Sequence, residues 1–230
     1  SLFAASKVAS CDNLIELFGP RIESNPDDLQ LASSVVKIMS STEDCNSNDV
    51  FLRAVTTMYR LEPSANSAYY LFKLHSANGN TDEAIKYMEE AIASEDSDIA
   101  KDAEWTYELA TYYFKNGMNV KAVEAANFVA ANSEELAGKA YFLMANVWGS
   151  TRCGGDDIAS RAPLGVACAY MNKAKNADPS LAESANNYIS EYSRYFPKAE
   201  EAFMYDITNG QSYTVVCGGL RATTTVRTVK

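Results

Sequence analysis

The sequence predicts an all-α fold made of stacked helix hairpins and closed by a small β-hairpin. Most of the 230 residues fall into helical segments that end at glycine or proline signals. A pattern of small and apolar residues recurs at a fixed spacing, which is typical of repeat proteins. Residues 212–230 differ from the rest, because they alternate, are rich in β-branched residues and contain a Gly-Gly pair.

The recurring unit is a helix hairpin with three marker positions. A leucine is followed by a glycine after 8 residues and by an alanine 5 residues after that glycine. A third copy begins at Leu143 but reaches its alanine, Ala167, after 24 residues instead of 13. The markers of the two regular copies are Leu71, Gly79 and Ala84, then Leu109, Gly117 and Ala122.

The marker residues have local physical roles within each hairpin. Gly79 can adopt the left-handed conformation that ends the first helix. Thr81 is expected to cap the second helix, which continues with acidic residues. Ala84 is small where we expect the two helices to cross, and a bulky residue there or at Ala122 is expected to cost about 1–3 kcal/mol by overpacking.

The leucine, glycine, alanine and closing proline positions resemble those of the tetratricopeptide repeat (TPR) family. The copies start 38 and then 34 residues apart, close to the TPR period of about 34. Asp178-Pro179 and Glu62-Pro63 resemble its closing signature. The resemblance covers about residues 11–195. It implies a right-handed helical solenoid in which the first helix of each pair lines a concave groove.

Two earlier copies are less regular than the three described above. Residues 32–63 form a degenerate copy, and a half-copy closes at residues 23–28. The helix of the half-copy contains Gly19-Pro20, where we expect it to be interrupted because proline breaks the hydrogen-bond ladder.

The predicted domain organisation is a repeat domain over residues 1–197 followed by a C-terminal segment over 198–230. The repeat domain ends in a capping helix, 180–197, which Pro197 is expected to stop. An insertion at 149–165 is glycine-rich, and we predict that it is not regular helix. The C-terminal segment is predicted to form a short helix and a β-hairpin that packs on the last repeats.

Five cysteines are present, and none has a metal-ligand spacing. We expect Cys153, in the insertion, to bond Cys217, just before the hairpin turn, so that the tail clasps the end of the solenoid. Cys11 and Cys45 lie near turns of successive early repeats, which are side by side in a solenoid, and form a second expected pair. Cys168 then remains as a buried free thiol. The alternative is that all five cysteines are reduced and buried.

The expected compartment follows from the cysteines and from the C-terminal sequence. If the bridges form, the compartment is oxidising, such as a bacterial periplasm or the cell exterior. Residues 193–229 are also similar to the ends of exported bacterial TPR proteins of unassigned role. The chain begins at Ser1-Leu2-Phe3 without a methionine, so we expect an export signal or anchor to have been lost. The chain could also be one module of a longer protein.

Composition and motifs argue against several classes of function. The net charge of −10, from 30 acidic and 20 basic residues, opposes nucleic acid and anionic lipid. No apolar run is long enough to span a membrane. The lone His75 is expected to pack, and residues 154–157 (GGDD) are expected to be a solvated loop. We therefore expect no metal site, no cofactor and no enzymatic activity.

The concave groove that the TPR resemblance implies holds the candidate binding residues. Tyrosines fall two residues before each marker leucine, and the following helical turns add further polar and aromatic side chains. Large aromatic side chains with a polar tip suit the binding of an extended peptide. The predicted binding set is Tyr69, Lys73, Tyr107, Thr111, Phe114, Tyr141 and Trp148.

The predicted function is a non-enzymatic scaffold that binds a protein or peptide in this groove. Neutral or basic partners fit best, because the protein is acidic and the residues Tyr70, Glu108 and Phe142 do not match the set with which some TPR grooves clamp a carboxylate. One alternative is a glycan-binding protein that stacks sugars on the tyrosines. Another is that the tyrosines only pack against neighbouring helices.

Overall fold

The computed structural model describes residues 10–230, and it confirms the predicted fold class. Antiparallel helix hairpins of the TPR type make up most of the chain, and a two-stranded antiparallel sheet follows them. The described residues up to Asp98 form one compact unit, and Ile99–Lys230 form a second. The boundary predicted at residues 197/198 falls inside the second unit and stays a prediction.

The first unit is a bundle of amphipathic helices around one apolar core. Fully buried side chains such as Val35, Met39 and Phe51 come from two of these helices and exclude water between them. The helices are α1 (Cys11–Ser24), α2 (Leu29–Ser40), α3 (Asp49–Leu61), α4 (Ala65–Ala77) and α5 (Thr81–Ala93).

The expected interruption of the first helix at Gly19-Pro20 is wrong, because α1 runs through both residues. Leu14, Phe18 and Ile22 recur every four residues and are all buried on one face. Pro20 lies on the exposed side, where water can satisfy the carbonyl that loses its partner. Burial of three large apolar side chains, at about 1.5–3 kcal/mol each, outweighs a proline cost of about 3 kcal/mol.

The second unit contains the three longest helices of the described chain. Its core includes Leu143, Met144 and Met171, which lie on two adjacent helices. The helices are α6 (Ile99–Lys115), α7 (Asn119–Asn132), α8 (Glu134–Ser150), α9 (Asp157–Ala177), α10 (Ala182–Ser193) and α11 (Ala199–Met204), with a 3₁₀ turn at Pro179–Leu181 before α10.

The prediction that residues 149–165 are not regular helix is wrong. Only the loop 151–156 lies outside helices, because α9 begins at Asp157. Asp156 caps α9, since its Oδ1 accepts hydrogen bonds from the backbone N–H groups of Ile158 and Ala159. Pro163 lies inside α9 and is buried. The extra length of the third copy is therefore mostly additional helix.

The hairpin that joins α4 to α5 has the expected turn but a different cap. Gly79 has a φ of 74°, in the left-handed region that glycine adopts without strain. The expectation that Thr81 caps the second helix is wrong, because Asn80 occupies the cap position and Thr81 is the first helical residue. Ala84 is completely buried.

The C-terminal segment follows the predicted order of elements. The capping helix α10 ends at Ser193, before Pro197, and α11 follows it. Strands β1 (Ser212–Cys217) and β2 (Leu220–Thr225) pair in an antiparallel register. The two glycines between them have φ values of 56° and 87°, as a two-residue type I′ turn requires. No helix within residues 10–230 combines the length and apolar character needed to cross a bilayer.

Candidate functional site

The strongest candidate site in the second unit is a cluster of half-buried aromatic side chains, which we call the aromatic surface. Its members are Tyr107 and Phe114 on α6, Tyr141 on α8 and Tyr170 on α9. All four pack against one buried cluster from α6, α7 and α8, in which three of the six buried residues are alanines.

The best-ordered part of the aromatic surface is a stacked pair of tyrosines. The ring centroids of Tyr141 and Tyr170 are 6.3 Å apart, and the rings are inclined by 25°. The Nζ atom of Lys173 lies 5.7 Å from the Tyr141 centroid and 5.2 Å from the Tyr170 centroid. An ammonium group over two ring faces is held by cation–π attraction. The lysine and the two rings therefore hold one another in a fixed arrangement.

The hydroxyl groups of this surface are adjusted by their surroundings. Burial raises the pKa of Tyr107, because the charged phenolate loses solvation. Burial also raises the pKa of Tyr170, and the nearby Tyr141 adds to this effect. Both hydroxyls stay neutral through the physiological pH range, so they can donate hydrogen bonds to a partner.

Thr111 is exposed, but its hydroxyl is already engaged within its own helix. The Oγ1 atom of Thr111 donates a hydrogen bond to the backbone carbonyl of Tyr107 at 3.1 Å. The side chain can still accept a hydrogen bond from a ligand, since a hydroxyl oxygen has two lone pairs.

Trp148 does not belong to the accessible surface, which corrects its predicted role in binding. Its side chain is only 1% exposed. The last turn of α8 is covered by α10, where the ring of Tyr192 lies so close to Gly149 that a Cβ atom there would clash with it. The helical spacing from Tyr141 places Trp148 on a similar face, but the C-terminal part of the chain covers that face.

The two candidate residues of the first unit form a local pair. Tyr69 and Lys73 lie one turn apart on α4, and the Lys73 Nζ atom is 5.4 Å from the Tyr69 ring centroid. The Tyr69 ring is also within about 6 Å of the rings of Tyr70 and Phe72. The predicted stripe that runs from Tyr69 to Tyr141 stays a prediction.

The cysteines form two disulfides and one free thiol in the described chain. Cys11 pairs with Cys45, with Cα atoms 5.2 Å apart, and Cys153 pairs with Cys217 at 5.5 Å. Cys168 is free and buried. The second pair ties the loop before α9 to the end of β1, so the hairpin is covalently attached next to the third repeat.

Asn48 supports the disulfide of the first unit. Its Nδ2 atom donates a hydrogen bond to the Cys45 carbonyl at 3.0 Å and lies 3.6 Å from both sulfur atoms of the bridge. Its Oδ1 atom accepts from the Phe51 N–H at 2.8 Å and so caps α3.

Sequence reasoning missed Tyr170, a member of the aromatic surface, and Lys173, whose ammonium group lies over its rings. Both lie on α9, the second helix of the third pair, whereas the groove expectation counted only first helices. The spacing of an aromatic residue and a lysine, three residues apart, was a usable signal, because it places them on one helix face.

Comparison with known proteins supports the fold. No protein-family model matches the sequence, and no curated protein matches it. Two crystal structures of MamA are each 18% identical to the chain and cover 75% of it. Their TM-scores are 0.56 and 0.57, and the match spans 91% and 85% of the respective MamA chains.

A further solved structure is the C-terminal part of a TPR repeat-containing protein from Cytophaga hutchinsonii. It is 14% identical, with a TM-score of 0.39, and the match covers 90% of this chain and 88% of that one. This chain consists mainly of repeated helix hairpins with glycine turns and buried alanines. It therefore has a fold of the TPR type.

Proposed function

We propose that this protein is a non-enzymatic scaffold that binds a protein or peptide through the aromatic surface of its second unit. The observation that carries the proposal is the stacked pair of Tyr141 and Tyr170 beneath Lys173, with Tyr107 and Phe114 on the same buried cluster. Aromatic residues that are held rigidly and keep a polar tip are the usual centres of protein–protein binding energy.

The partner that fits this surface is a neutral or basic segment with apolar or aromatic side chains. The rings offer apolar area, and their hydroxyls offer hydrogen bonds. The protein carries a net charge of −10, which favours approach of a neutral or basic partner over that of an acidic one.

We further propose that the protein works in an oxidising, extracytoplasmic compartment. Two pairs of cysteines lie at bonding distance, one in each unit. Such bridges persist in secreted and periplasmic proteins and are rare where thiols are kept reduced.

The test is affinity capture from an envelope extract of the source cell, with wild-type protein compared with Tyr107→Ala/Tyr141→Ala. We expect a protein that the wild type retains and the double variant loses. With the purified partner, calorimetry should show binding weakened by about tenfold or more. Tyr195→Ala is the matched control, because Tyr195 is a tyrosine of the same unit that is 55% exposed.

Two results contradict the proposal. One is equal capture by wild type and double variant, because the aromatic surface then contributes nothing. The other is heat released on titration with oligosaccharides, lost in the double variant, with no protein captured. That second result supports the alternative, in which sugars stack on the tyrosines.

A further inference from the structure

A groove lies between one face of α9 and strand β2 in the second unit, and it has a volume of about 340 Å³. We call it the β2 groove. Five consecutive residues of β2, 221–225, line one wall. The opposite wall is formed by residues of α9 between Gly165 and Lys173, and Phe196 and Ile189 also line the groove.

The part of β2 that borders the groove is the edge of the strand. Ala222 and Thr224 point towards the protein, whereas Arg221, Thr223 and Thr225 are exposed. A cavity beside one face of a strand touches only alternate side chains. Because consecutive residues with both orientations line the groove, it runs along the edge that faces away from β1.

The backbone groups at this edge are identified by the hydrogen-bond pattern at the end of the hairpin. The Val226 N–H donates to the Gln211 carbonyl at 2.8 Å, and the Gly210 N–H donates to the Val226 carbonyl at 2.8 Å. Val226 therefore faces β1, and so do alternate residues before it, Thr224 and Ala222. The N–H and C=O groups of the residues between them point into the groove.

These outward groups belong to Arg221, Thr223 and Thr225. Outside the ladder with β1, no hydrogen bond to their backbone N–H or C=O groups is present in the described chain. An open strand edge is a template for pairing with another extended chain. The edge is short and lies opposite a helix, which limits it to one added segment of a few residues.

The groove is positively charged although the protein is acidic. Lys173, Arg221 and Arg227 line it, and no Asp or Glu is among its lining residues in the part of the chain described. Within residues 10–230, none of the three cations makes an ion pair with a described acid. The net charge of −10 acts over a longer distance, but salt screens it beyond about 8 Å at physiological ionic strength.

We propose that the β2 groove binds an extended peptide segment with acidic side chains, which pairs with the free edge of β2 as a third strand. Backbone hydrogen bonds to alternate residues would supply affinity, and contacts with Arg221, Arg227 and Lys173 would select acidic side chains. The groove shares Tyr170 with the aromatic surface and includes Lys173 beside it, but the inference does not rest on the function proposed above. Its strand edge and two arginines lie outside that surface.

An acidic peptide fits this edge better than a second copy of the protein does. Two copies paired through β2 would bring the arginines of both edges into one interface. Like charges placed together disfavour such a pairing.

The probe is the peptide Thr-Glu-Val-Glu-Val-Thr-amide with rhodamine coupled to its N-terminal amine, measured by fluorescence anisotropy with the oxidised full chain. The first comparison peptide has Gln in place of Glu. The second keeps both Glu residues but carries N-methyl groups on alternate backbone nitrogens, so that one edge of the peptide cannot donate hydrogen bonds. We expect binding of the acidic peptide, and weak or no binding of the other two.

Two protein variants test the two parts of the site separately. Arg221→Glu/Arg227→Glu should weaken binding by about tenfold, since each reversed contact is exposed and modest. Its control is Lys37→Glu, which reverses an exposed charge of the first unit. Thr223→Pro removes the backbone N–H group that points away from β1, so no hydrogen bond between β1 and β2 is lost. This variant should not bind the peptide.

Thr214→Pro is the matched control for Thr223→Pro. Thr214 is the register partner of Thr223 and presents its own N–H at the opposite edge, away from the groove. The N-methylated peptide tests the same hydrogen bonds without any change to the protein, so a misfolded Thr223→Pro variant does not leave the proposal undecided.

Three results overturn the proposal. The first is no binding of the acidic peptide. The second is binding that charge reversal weakens but N-methylation and Thr223→Pro leave intact, because the attraction is then purely electrostatic. The third is self-association of the free chain that Thr223→Pro prevents, because the edge is then occupied by a second copy.

Discussion

Gly138 shows how one hydrogen atom in place of a side chain permits a close packing of two segments. It is buried in α8, and a Cβ atom there would lie 2.5 Å from the Cβ atom of Asp178 and 3.2 Å from its backbone nitrogen. Asp178 cannot yield easily, because its Oδ1 accepts hydrogen bonds from the N–H and hydroxyl of Ser180 and so caps the turn after α9.

We expect Gly138→Ala to destabilise the protein by up to about 2 kcal/mol, because overpacking costs about 1–3 kcal/mol and the higher helix propensity of alanine returns at most about 1. Urea unfolding monitored by circular dichroism measures the change. Gly154→Ala is the control, since no atom lies within 4 Å of its added Cβ. Equal stability of the two variants would show that the contact relaxes freely.

Individual side chains were predictable where local sequence decides their position. Gly79 and Ala84 have the conformation and burial that the repeat markers predict. Trp148 was misplaced because helix periodicity gives its face but not what lies above that face. The covering residues come from α10, more than 30 positions later in the chain.

Proline and glycine within a helical pattern were the least reliable sequence signals for where a helix begins or ends. Pro20 and Pro163 both lie inside helices, and Gly165 lies inside α9. In each helix the apolar face continues past the breaker, so the burial of following turns compensates for the lost backbone bond. A local propensity rule does not contain that tertiary contribution. The β-hairpin was predictable because its alternation and Gly-Gly turn are local signals.

The disulfide between Cys153 and Cys217 is expected to hold the β-hairpin against the helices of the second unit. A two-stranded sheet is marginal alone, and this bridge closes a loop with a sequence separation of 64 residues. We expect Cys153→Ala/Cys217→Ala to lose about 2–4 kcal/mol of stability. Hydrogen exchange should show that the ladder amides of Val215, Ala222 and Thr224 lose their protection first.

The matched control removes the other bridge. Cys11→Ala/Cys45→Ala eliminates a disulfide in the first unit, and the hairpin amides should keep their protection. Unchanged exchange of those amides after loss of the Cys153–Cys217 bridge would show that the strands are held by packing alone, for example through Val215 and Leu220, which are buried.

Across the whole molecule, the fold class was more predictable than the sites. The repeat spacing recurs at several places in the chain, so each copy is separate evidence for the same fold. A binding site instead depends on which surfaces the rest of the chain leaves exposed. Tyr170, Lys173 and the β2 edge come together only after the tail has packed on α9. Neither the charge nor the orientation of the β2 groove follows from local sequence.

Alkaline pH tests the tyrosine environments of both units together. A hydrogen bond to Glu90, which the Tyr59 hydroxyl donates at 2.5 Å, raises the pKa of Tyr59 to about 12. Burial raises the pKa of Tyr107, Tyr170 and Tyr213 in the second unit. The folded protein therefore keeps protons that the unfolded chain releases above about pH 10.

Because the unfolded state then binds fewer protons than the folded state, the free energy of unfolding should fall as pH rises from about 10 to 12, and be insensitive to these groups below pH 9. Urea unfolding at stepped pH measures the slope. It is best done in a Cys168→Ala background, because burial raises the pKa of the Cys168 thiol to about 11 and so adds to the slope. In the unfolded chain the exposed thiolate would also attack the disulfides. Tyr59→Phe should flatten part of the slope. A slope that Tyr59→Phe leaves unchanged would mean that the Tyr59–Glu90 hydrogen bond does not persist in solution.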